Sequence, residues 1–213
     1  MKGVKFGGLH SFYEWGLILS EKEIKAPQPK TKAVDVEGAD GELDYTEAFG
    51  DVKYQNRQLS FKFSKANIVP DGFLALFSVV QNALHGKKMQ VILDDDPANY
   101  YFGRVTINEW KSNKRVGEIV IEVDAEPYKL KVAETVITQA VTDSAEIVLT
   151  NSRKPVVPTI TTTAAMNITF GGFTAAVQAG TFRLPELQLA EGQNTVTVTG
   201  TGNITFRYRE GSL

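Results

Sequence analysis

The acidic run from Asp94 to Asp96 is the densest group of side chains in this sequence that could bind a metal ion. Carboxylate oxygens are the ligands that Ca²⁺ prefers in proteins. However, a proline follows the run, and Asp and Pro are also the residues that most often build turns. Adjacent carboxylates in one turn do not converge on an ion without further ligands. The sequence therefore favours a turn, Asp94–Ala98, between strands Met89–Leu93 and Tyr100–Trp110, and predicts no metal site.

The two histidines, His10 and His85, are the other candidates for acid–base chemistry. His10 follows a Gly7-Gly8 turn, and His85 ends a predicted helix, where a cation is favourable next to the negative end of the dipole. Both positions favour a local structural role. The sequence contains no cysteine, no Gly-x-Ser-x-Gly elbow, no Gly-x-Gly-x-x-Gly and no Walker loop. Most acidic residues alternate outward along strands or lie in turns, which disfavours a glycosidase. We predict a protein without catalytic residues or cofactor.

The overall composition of the 213 residues is that of an ordinary globular chain, with 42% hydrophobic and 23% charged side chains. The net charge of −2 gives no electrostatic reason to expect a nucleic acid as the main partner. No N-terminal segment resembles a signal peptide, and no apolar run approaches the roughly 20 residues that cross a bilayer. We therefore expect a soluble chain, made in a cytoplasm, without a membrane segment.

Alternation of apolar and polar residues predicts that β-strands dominate. Leu59, Phe61 and Phe63 share one face of the segment RQLSFKF, and the segments GEIVIEV, NTVTVT and NITFRYR repeat this pattern. Strands with one wet face are typical of antiparallel sheets. The segment Pro70–Lys88 instead has apolar residues at helical spacing, and Gly86 stands where a helix would end. We therefore predict a mainly β first part, a barrel or sheet, with one α-helix packed on it.

A domain boundary is predicted near Pro127, because an alternating strand ends there and the following sequence is rich in threonine, valine and alanine. The expected domains are residues 1–130 and 131–213. The second domain shows short strands at regular spacing, which suggests a β-sandwich. The strands expected there are Ile147–Leu149, Val156–Thr162, Met166–Phe170, Ala175–Val177, Thr181–Leu184, Asn194–Thr199 and Asn203–Tyr208.

Arg57 stands out because it follows a glycine-rich, acidic segment and opens a strand. It could be a solvated strand end. Alternatively, its guanidinium could pair with Asp40 or Asp44, since an arginine fork suits carboxylates. The second interpretation is favoured, because the whole block from Val36 to Phe63 looks built to fix a loop.

The order of these motifs resembles the distal tail proteins of siphophages. The opening VKFGGLHSFYEWGLILSEKEI contains a similar Gly-x-His-Ser turn, and the next block is similar to a Gly-x-Asp-Gly-x-x-Asp turn that leads to a Tyr-x-Asn-Arg strand. The matching positions are Gly38, Asp40, Gly41, Asp44, Tyr54, Asn56 and Arg57. One departure is Glu37, where many relatives carry proline before the first turn glycine; this loosens the turn. These seven residues are the candidate structural motif for ring contacts.

The C-terminal half is similar to the same family through NSRKPVVPTI, FRLPELQLAEGQNTVTVTG and ITFRYREGSL. The resemblance implies a structural role without catalytic residues: a hexameric ring at the distal end of the phage tail. The first domain would be related to tail-tube proteins, and the second would be galectin-like. The implied partners are the tail-tube protein, the tail-tip protein and a receptor-binding protein, with DNA only passing through the channel. The segment Ala26–Tyr54 is expected to contribute to the ring contacts.

Two other functions remain open at this point. A carbohydrate-binding module for host adhesion is one, because aromatic side chains on a β-sandwich can stack on sugars; the candidates are Phe173, Phe182 and Tyr208. The same aromatic residues could instead fill the core. A tail-tube or tail-terminator protein is the other alternative, although a second domain argues against a minimal tube subunit.

Overall fold

The computed structural model describes residues 2–48, 50–66, 70–113 and 116–213. The chain is mainly β and divides into two compact units, Met1–Pro127 and Tyr128–Leu213. In the described residues, no helix is both long enough and apolar enough to cross a membrane.

The first unit contains nine strands and two helices among its described residues. In chain order they are β1 (Val4–Phe6), β2 (Leu9–His10), α1 (Ser11–Trp15), β3 (Ile18–Ile24), β4 (Ala33–Asp35), β5 (Glu42–Asp44), β6 (Arg57–Ala66), α2 (Pro70–Leu84), β7 (Lys88–Leu93), β8 (Asp96–Ser112) and β9 (Val116–Ala125).

Seven of these strands form one antiparallel sheet in the order β2-β1-β7-β8-β9-β6-β3. Strand β6 confirms the alternation read from the sequence: Leu59, Phe61 and Phe63 are fully buried, whereas Gln58 is exposed on the other face. The end strands β2 and β3 do not pair with each other in the described residues, so the sheet is open rather than a closed barrel. Strands β4 and β5 form a separate two-stranded sheet.

Helix α2 covers the buried face of this sheet, as the helical spacing predicted. Phe73, Val80 and Leu84 lie in the same hydrophobic cluster as the inward side chains of β6. The chain leaves the helix through Gly86 at φ +78°, a left-handed conformation that suits glycine. Burying these large apolar side chains is the main stabilisation that the helix gains, because an isolated helix of this length is marginal in water.

The second unit consists of ten strands. They are β10 (Lys129–Lys131), β11 (Thr135–Val141), β12 (Ser144–Asn151), β13 (Thr159–Thr162), β14 (Met166–Phe170), β15 (Phe173–Val177), β16 (Gly180–Phe182), β17 (Gly192–Gly200), β18 (Gly202–Tyr208) and β19 (Gly211–Ser212).

Eight of these strands form a β-sandwich, as predicted. One sheet has the order β11-β18-β13-β16 and the other β12-β17-β14-β15, and the inward side chains of both sheets belong to one core cluster. The segment TGTGN between β17 and β18 suggests a hairpin of the last two long strands, but this expectation was wrong: β17 pairs with β12 and β14 in one sheet, and β18 pairs with β11 and β13 in the other. The short strands β10 and β19 pair with each other.

Three expectations about strand bounds were wrong. The turn after β7 contains only Asp94 and Asp95, and β8 already begins at Asp96. Val156 makes only an isolated bridge to Leu189, and the strand predicted from it begins at Thr159. Strand β16 ends at Phe182. Asp96, Pro97 and Ala98 belong to the strand although Asp and Pro favour turns, whereas Val156 and Leu184 carry the apolar pattern of a strand without belonging to one.

Candidate functional site

The imidazole of His10 caps helix α1. His10 is the N-cap residue, and its Nδ1 accepts hydrogen bonds from the backbone amides of Phe12 (3.1 Å) and Tyr13 (3.3 Å). Because Nδ1 accepts, the ring proton lies on Nε2, which is 3.0 Å from Oδ2 of Asp94. His10 therefore donates to Asp94 and stabilises the first turn of the helix at the same time.

This His–Asp pair stands next to Ser11, the set of residue types found in hydrolytic triads. A serine nucleophile needs a ring nitrogen that is free to take its proton. Neither nitrogen of His10 is free, and the Ser11 hydroxyl accepts the backbone amide of Val4 at 3.1 Å while being fully buried. The arrangement thus fixes β1, α1 and the turn after β7 in place and has no geometry for catalysis.

The three aspartates of the acidic run have separate partners. Asp94 also accepts the amide of Gly3 at 2.7 Å, Asp95 pairs with Lys2 and Lys22, and Asp96 accepts from Asn99. The carboxylates are therefore engaged in different directions. No cluster of three metal-ligating side chains occurs in the described part of the chain.

These contacts shift two of the acidic groups. Hydrogen bonds from Lys2 and Lys22 lower the pKa of Asp95 to about 2. Burial raises the pKa of Asp94, but the hydrogen bonds from His10 and Gly3 outweigh it, so the pKa lies below its usual value. Both groups are therefore carboxylates at neutral pH.

His85 lies just beyond the end of α2, where it was expected. Its Nδ1 accepts the backbone amide of Ile107 at 3.1 Å, next to the irregularity in the β8–β9 pairing between Ile107 and Glu109. The imidazole therefore completes the hydrogen bonding of a strand amide. The described contact is with this strand and not with the carbonyl groups of the helix.

Glu210 is a buried carboxylate that the sequence pattern did not predict. Its Oε1 accepts from Lys131 Nζ (2.6 Å) and Thr135 Oγ1 (2.7 Å), and its Oε2 accepts from Ser152 Oγ (2.7 Å). Burial raises the pKa of Glu210, yet these hydrogen bonds outweigh it and the pKa is lowered. Such a fully satisfied carboxylate joins distant parts of the second unit and is a structural centre.

The predicted contact motif maps onto an arm of the first unit. We define the arm as residues Ala26–Tyr54, between β3 and β6; it contains the β4–β5 hairpin. Gly38 and Gly41, both at positive φ (87° and 76°), lie in the connection of this hairpin, and Asp40 stands between them. The glycines thus allow the tight reversal that the sequence predicted.

Hydrogen bonds between the outgoing and returning chains hold the arm together. Tyr54 bridges Pro29, the amide of Gln55 donates to Gln28, and the amide of Tyr45 donates to Lys32. At the end of β5, Oδ1 of Asp44 accepts the amide of Thr46 at 2.8 Å. Hydrogen bonds from the side chain and amide of Thr46 lower the pKa of Asp44. The arm is a paired element and not an irregular loop.

The surface of the arm is both apolar and acidic. Val34 and Leu43 are opposite each other in the hairpin, and each is 50% exposed. Val36 and Tyr45 are also exposed. Residues 35–51 contain seven acidic side chains and no basic one, and none of the seven makes an ion pair with a described residue. Exposed apolar residues that are surrounded by polar ones are a feature of surfaces that bind other proteins.

Asn56 and Arg57 lie where the arm returns to the sheet. Asn56 donates to Asp124 at 3.2 Å, whereas Arg57 is buried and its guanidinium lies over the ring of Tyr101, 5.4 Å from the centroid. The predicted pairing of Arg57 with Asp40 or Asp44 was wrong: the described chain contains no such contact. Arg57 points to the same face of β6 as Leu59, and the hairpin carboxylates remain exposed.

The aromatic residues proposed for sugar stacking do not form a platform. Tyr208 is buried and donates its hydroxyl to the carbonyl of Thr150 at 2.6 Å. Phe182 packs against the sandwich core, and Phe173 is half-buried beside the Gly171-Gly172 turn. Sugar stacking needs exposed ring faces, and these three residues do not supply them together.

Comparison with solved structures identifies the same architecture in a phage protein. The crystal structure of the SPP1 Dit protein (gp 19.1) is described as a paradigm of the hub adsorption apparatus in phages that infect Gram-positive bacteria. The match covers 98% of this chain and 99% of that chain, with a TM-score of 0.70 and 12% sequence identity. The chain has the Dit fold. The sequence itself matches no family model and no curated protein.

The segment FRLPELQLAEGQNTVTVTG, one of those that carry the resemblance, contains a Leu-x-Leu-x-x-Gly-x-Asn turn from Leu187 to Asn194. Leu187 and Leu189 are fully buried, and Gly192 adopts φ +92°. The buried amide of Asn194 donates to the carbonyls of Leu149 and Ala190. The motif therefore ties the entry of β17 to the core. Its role is structural, like that of His10 and Glu210.

Proposed function

We propose that this chain is a structural protein of a siphophage tail tip, where identical copies close into a ring. The observation that carries the proposal is the match in fold over nearly the full length of the SPP1 Dit protein, a hub protein by its printed description. The side-chain chemistry agrees with such a role. His10, Asp94 and Glu210, the groups best suited to catalysis, are occupied in hydrogen bonds that hold the fold.

The arm is the part of the chain that best suits contacts between copies. A ring is built from repeated heterologous contacts, in which one surface of a subunit meets a different surface of the next. Val34, Leu43 and Tyr45 on the arm are exposed apolar side chains that a neighbouring subunit would cover. The proposed assembly is a hexamer, and it joins the tail tube to the tail-tip protein, with receptor-binding proteins as further partners.

The extent of the match favours a hub over the tube alternatives. Both compact units lie within the matched region, since 98% of the chain is covered. A minimal tail-tube or tail-terminator subunit would account for the first unit alone. We therefore place this chain at the distal end of the tail in the virion, after synthesis in the host cytoplasm.

Mass measurement by light scattering, combined with negative-stain imaging of the purified protein, tests the ring. We expect the mass of a hexamer and particles with a central hole. Replacing Glu37–Asp51 by a short Gly-Ser linker should give monomers that keep the unfolding temperature of the parent. As a matched control, Gly171→Asn in an exposed turn of the second unit should leave the assembly intact. Rings that persist without the arm hairpin would show that the contacts lie elsewhere.

Imaging of virions tests the location. Antibodies against the chain should label the end of the tail that carries the adsorption apparatus, and the density there should accommodate a ring of this protein. Label confined to the head or spread along the whole tail would contradict the hub assignment.

A further inference from the structure

The guanidinium of Arg57 is a buried charge without a partner. Only 5% of the residue is exposed, and its Nε is sealed from solvent without a hydrogen bond. The side chain of Arg57 makes no hydrogen bond or ion pair with any described residue, and it contacts the ring of Tyr101. Native proteins pair buried charges, because a charge removed from water is costly unless an opposite charge or several hydrogen bonds replace the water.

A partner could reach the guanidinium of Arg57 only through its two terminal nitrogens. Among its nitrogens, only Nε is both sealed and unpartnered, so the two terminal nitrogens reach the surface of the first unit. Two parallel N–H donors at the end of a guanidinium match the two oxygens of a carboxylate. The contact of the guanidinium with the ring of Tyr101 stabilises the cation at this position. The site therefore fits a carboxylate that approaches end-on from outside the subunit.

Unpaired carboxylates are concentrated in the same chain on the β4–β5 hairpin. Asp40, Glu42 and Asp44 are exposed and have no ion pair in the described structure. Among the described residues, no ion pair or hydrogen bond joins the hairpin to the side chain of Arg57 within one subunit. Each copy thus carries an unmatched acidic element and an unmatched buried cation. Two different and complementary surfaces on each subunit are what a closed heterologous ring requires.

We propose that Arg57 receives a carboxylate of the β4–β5 hairpin from a neighbouring copy of this chain. The inference rests on the proposed ring, and it names one of the contacts that would close it. Arg57 then belongs to the interface and not to the stability of the isolated subunit. This separates it from a structural arginine, whose removal would lower the unfolding temperature.

The substitution Arg57→Met tests the two roles against each other. Methionine keeps the length and apolar stem of the side chain but removes the buried charge, which is neutral or stabilising for a fold that does not use the charge. We expect an unchanged or higher unfolding temperature of the monomer and an increase of at least about tenfold in the concentration at which rings form. Arg207→Met, at an exposed arginine of β18, is the control and should change neither quantity.

The partner is tested by the neutral variant Asp40→Asn/Glu42→Gln/Asp44→Asn. It should weaken the ring as Arg57→Met does, and the combination of both changes should weaken it little further, because they remove the same contact. Glu146→Gln and Glu186→Gln, at exposed carboxylates of the second unit, are the matched controls. Rings of the parent protein should also weaken with added salt, and those of Arg57→Met should respond less.

The outcomes separate this inference from the proposed function. Rings in the parent and equal rings in Arg57→Met would overturn the Arg57 contact and leave the ring in place. Fully additive losses in the combined variant would show that Arg57 and the hairpin act in different contacts, which also overturns it. A parent protein that stays monomeric at every concentration and does not occur in a ring on virions would remove the proposed function and the inference together.

Discussion

Gly117 on β9 lies directly against the ring of Phe73 on α2. A Cβ atom at position 117 would come within 2.2 Å of that ring, which is far inside contact distance. Phe73 is fully buried and also packs against Trp110, 5.9 Å away between ring centroids. The absence of a side chain at Gly117 is therefore what lets the helix approach the sheet at this point.

Gly117→Ala should destabilise the first unit by about 1–3 kcal/mol, because the added methyl group forces the ring of Phe73 or the helix to shift. Thermal and chemical unfolding measure this change. Gly8→Ala is the matched control: a Cβ there meets nothing within 4 Å, and its backbone is not left-handed. If both variants unfold alike, the close approach of helix and sheet is not tight in solution.

Asp94→Asn should flatten the dependence of stability on pH in the acid range. The folded-state pKa of Asp94 is lowered, so its contribution to stability is present above the ordinary aspartate pKa of about 4 and is lost as the pH falls through the folded-state value. Unfolding measured from pH 7 to pH 2 should show a smaller loss for the variant than for the parent. Asp51→Asn, at an exposed carboxylate of the arm, should leave the profile of the parent unchanged.

His10→Ala should cost about 1 kcal/mol of stability, because it removes the acceptor for the amides of Phe12 and Tyr13. His10→Asn should recover part of the loss, since the asparagine oxygen can cap the same helix. Comparing the two unfolding temperatures distinguishes a cap from a residue that only fills space. Equal losses in the two variants would mean that the cap contributes nothing.

The alternation in β6 and β9 was readable from the sequence because one face of each strand packs on the core and the other meets water. Helix α2 was readable for the same reason at helical spacing. Strand β11 was missed, since most of its residues are exposed or half-exposed on both faces and no apolar alternation results. Helix α1 was missed because five residues are too few to show a period, and its cap is a histidine.

The contacts of the candidate site could not be predicted to the same extent. The partners of Glu210 stand at positions 131, 135 and 152, so they meet only when the sandwich forms. Arg57 was singled out by its position, but its neighbour on the inner face, Tyr101, lies on β8, and sequence spacing gives no information on such a contact. The carboxylates that precede Arg57 in the sequence were mistaken for its partners, because closeness in sequence does not show whether two side chains meet in the fold.

Tyr208→Phe should lower the stability of the second unit by about 1 kcal/mol. The Tyr208 hydroxyl on β18 donates to the Thr150 carbonyl on β12, so it joins the two sheets, and phenylalanine keeps the packing while leaving that carbonyl without its donor. Tyr13→Phe, at an exposed hydroxyl, should change stability by less than about 0.5 kcal/mol. Unfolding of the two variants at neutral pH is the measurement.

Burial, together with the charge of Glu210, raises the pKa of Tyr208 to about 12. Because the folded state holds this proton more tightly, the contribution to stability is fully present below about pH 10, the ordinary tyrosine pKa, and is lost as the pH rises towards 12. Tyrosinate absorbance of the folded parent should show a titration step near pH 12. Tyr208→Phe should remove that step; a step that persists would assign it to another tyrosine.

Val34→Thr/Leu43→Thr tests the apolar surface of the arm. The two residues are cross-strand partners and half exposed, and threonine retains the β-propensity of the hairpin. We expect the unfolding free energy of the monomer to stay within about 0.5 kcal/mol, because little of either side chain is buried in one subunit. Ring formation should weaken by about tenfold or more, because each subunit would bury these groups against its neighbour.

Val148→Thr, 48% exposed on β12, is the matched control and should leave the rings intact. Light scattering of the two variants over the same concentration range decides: equal assembly would show that Val34 and Leu43 do not lie in the contact between subunits.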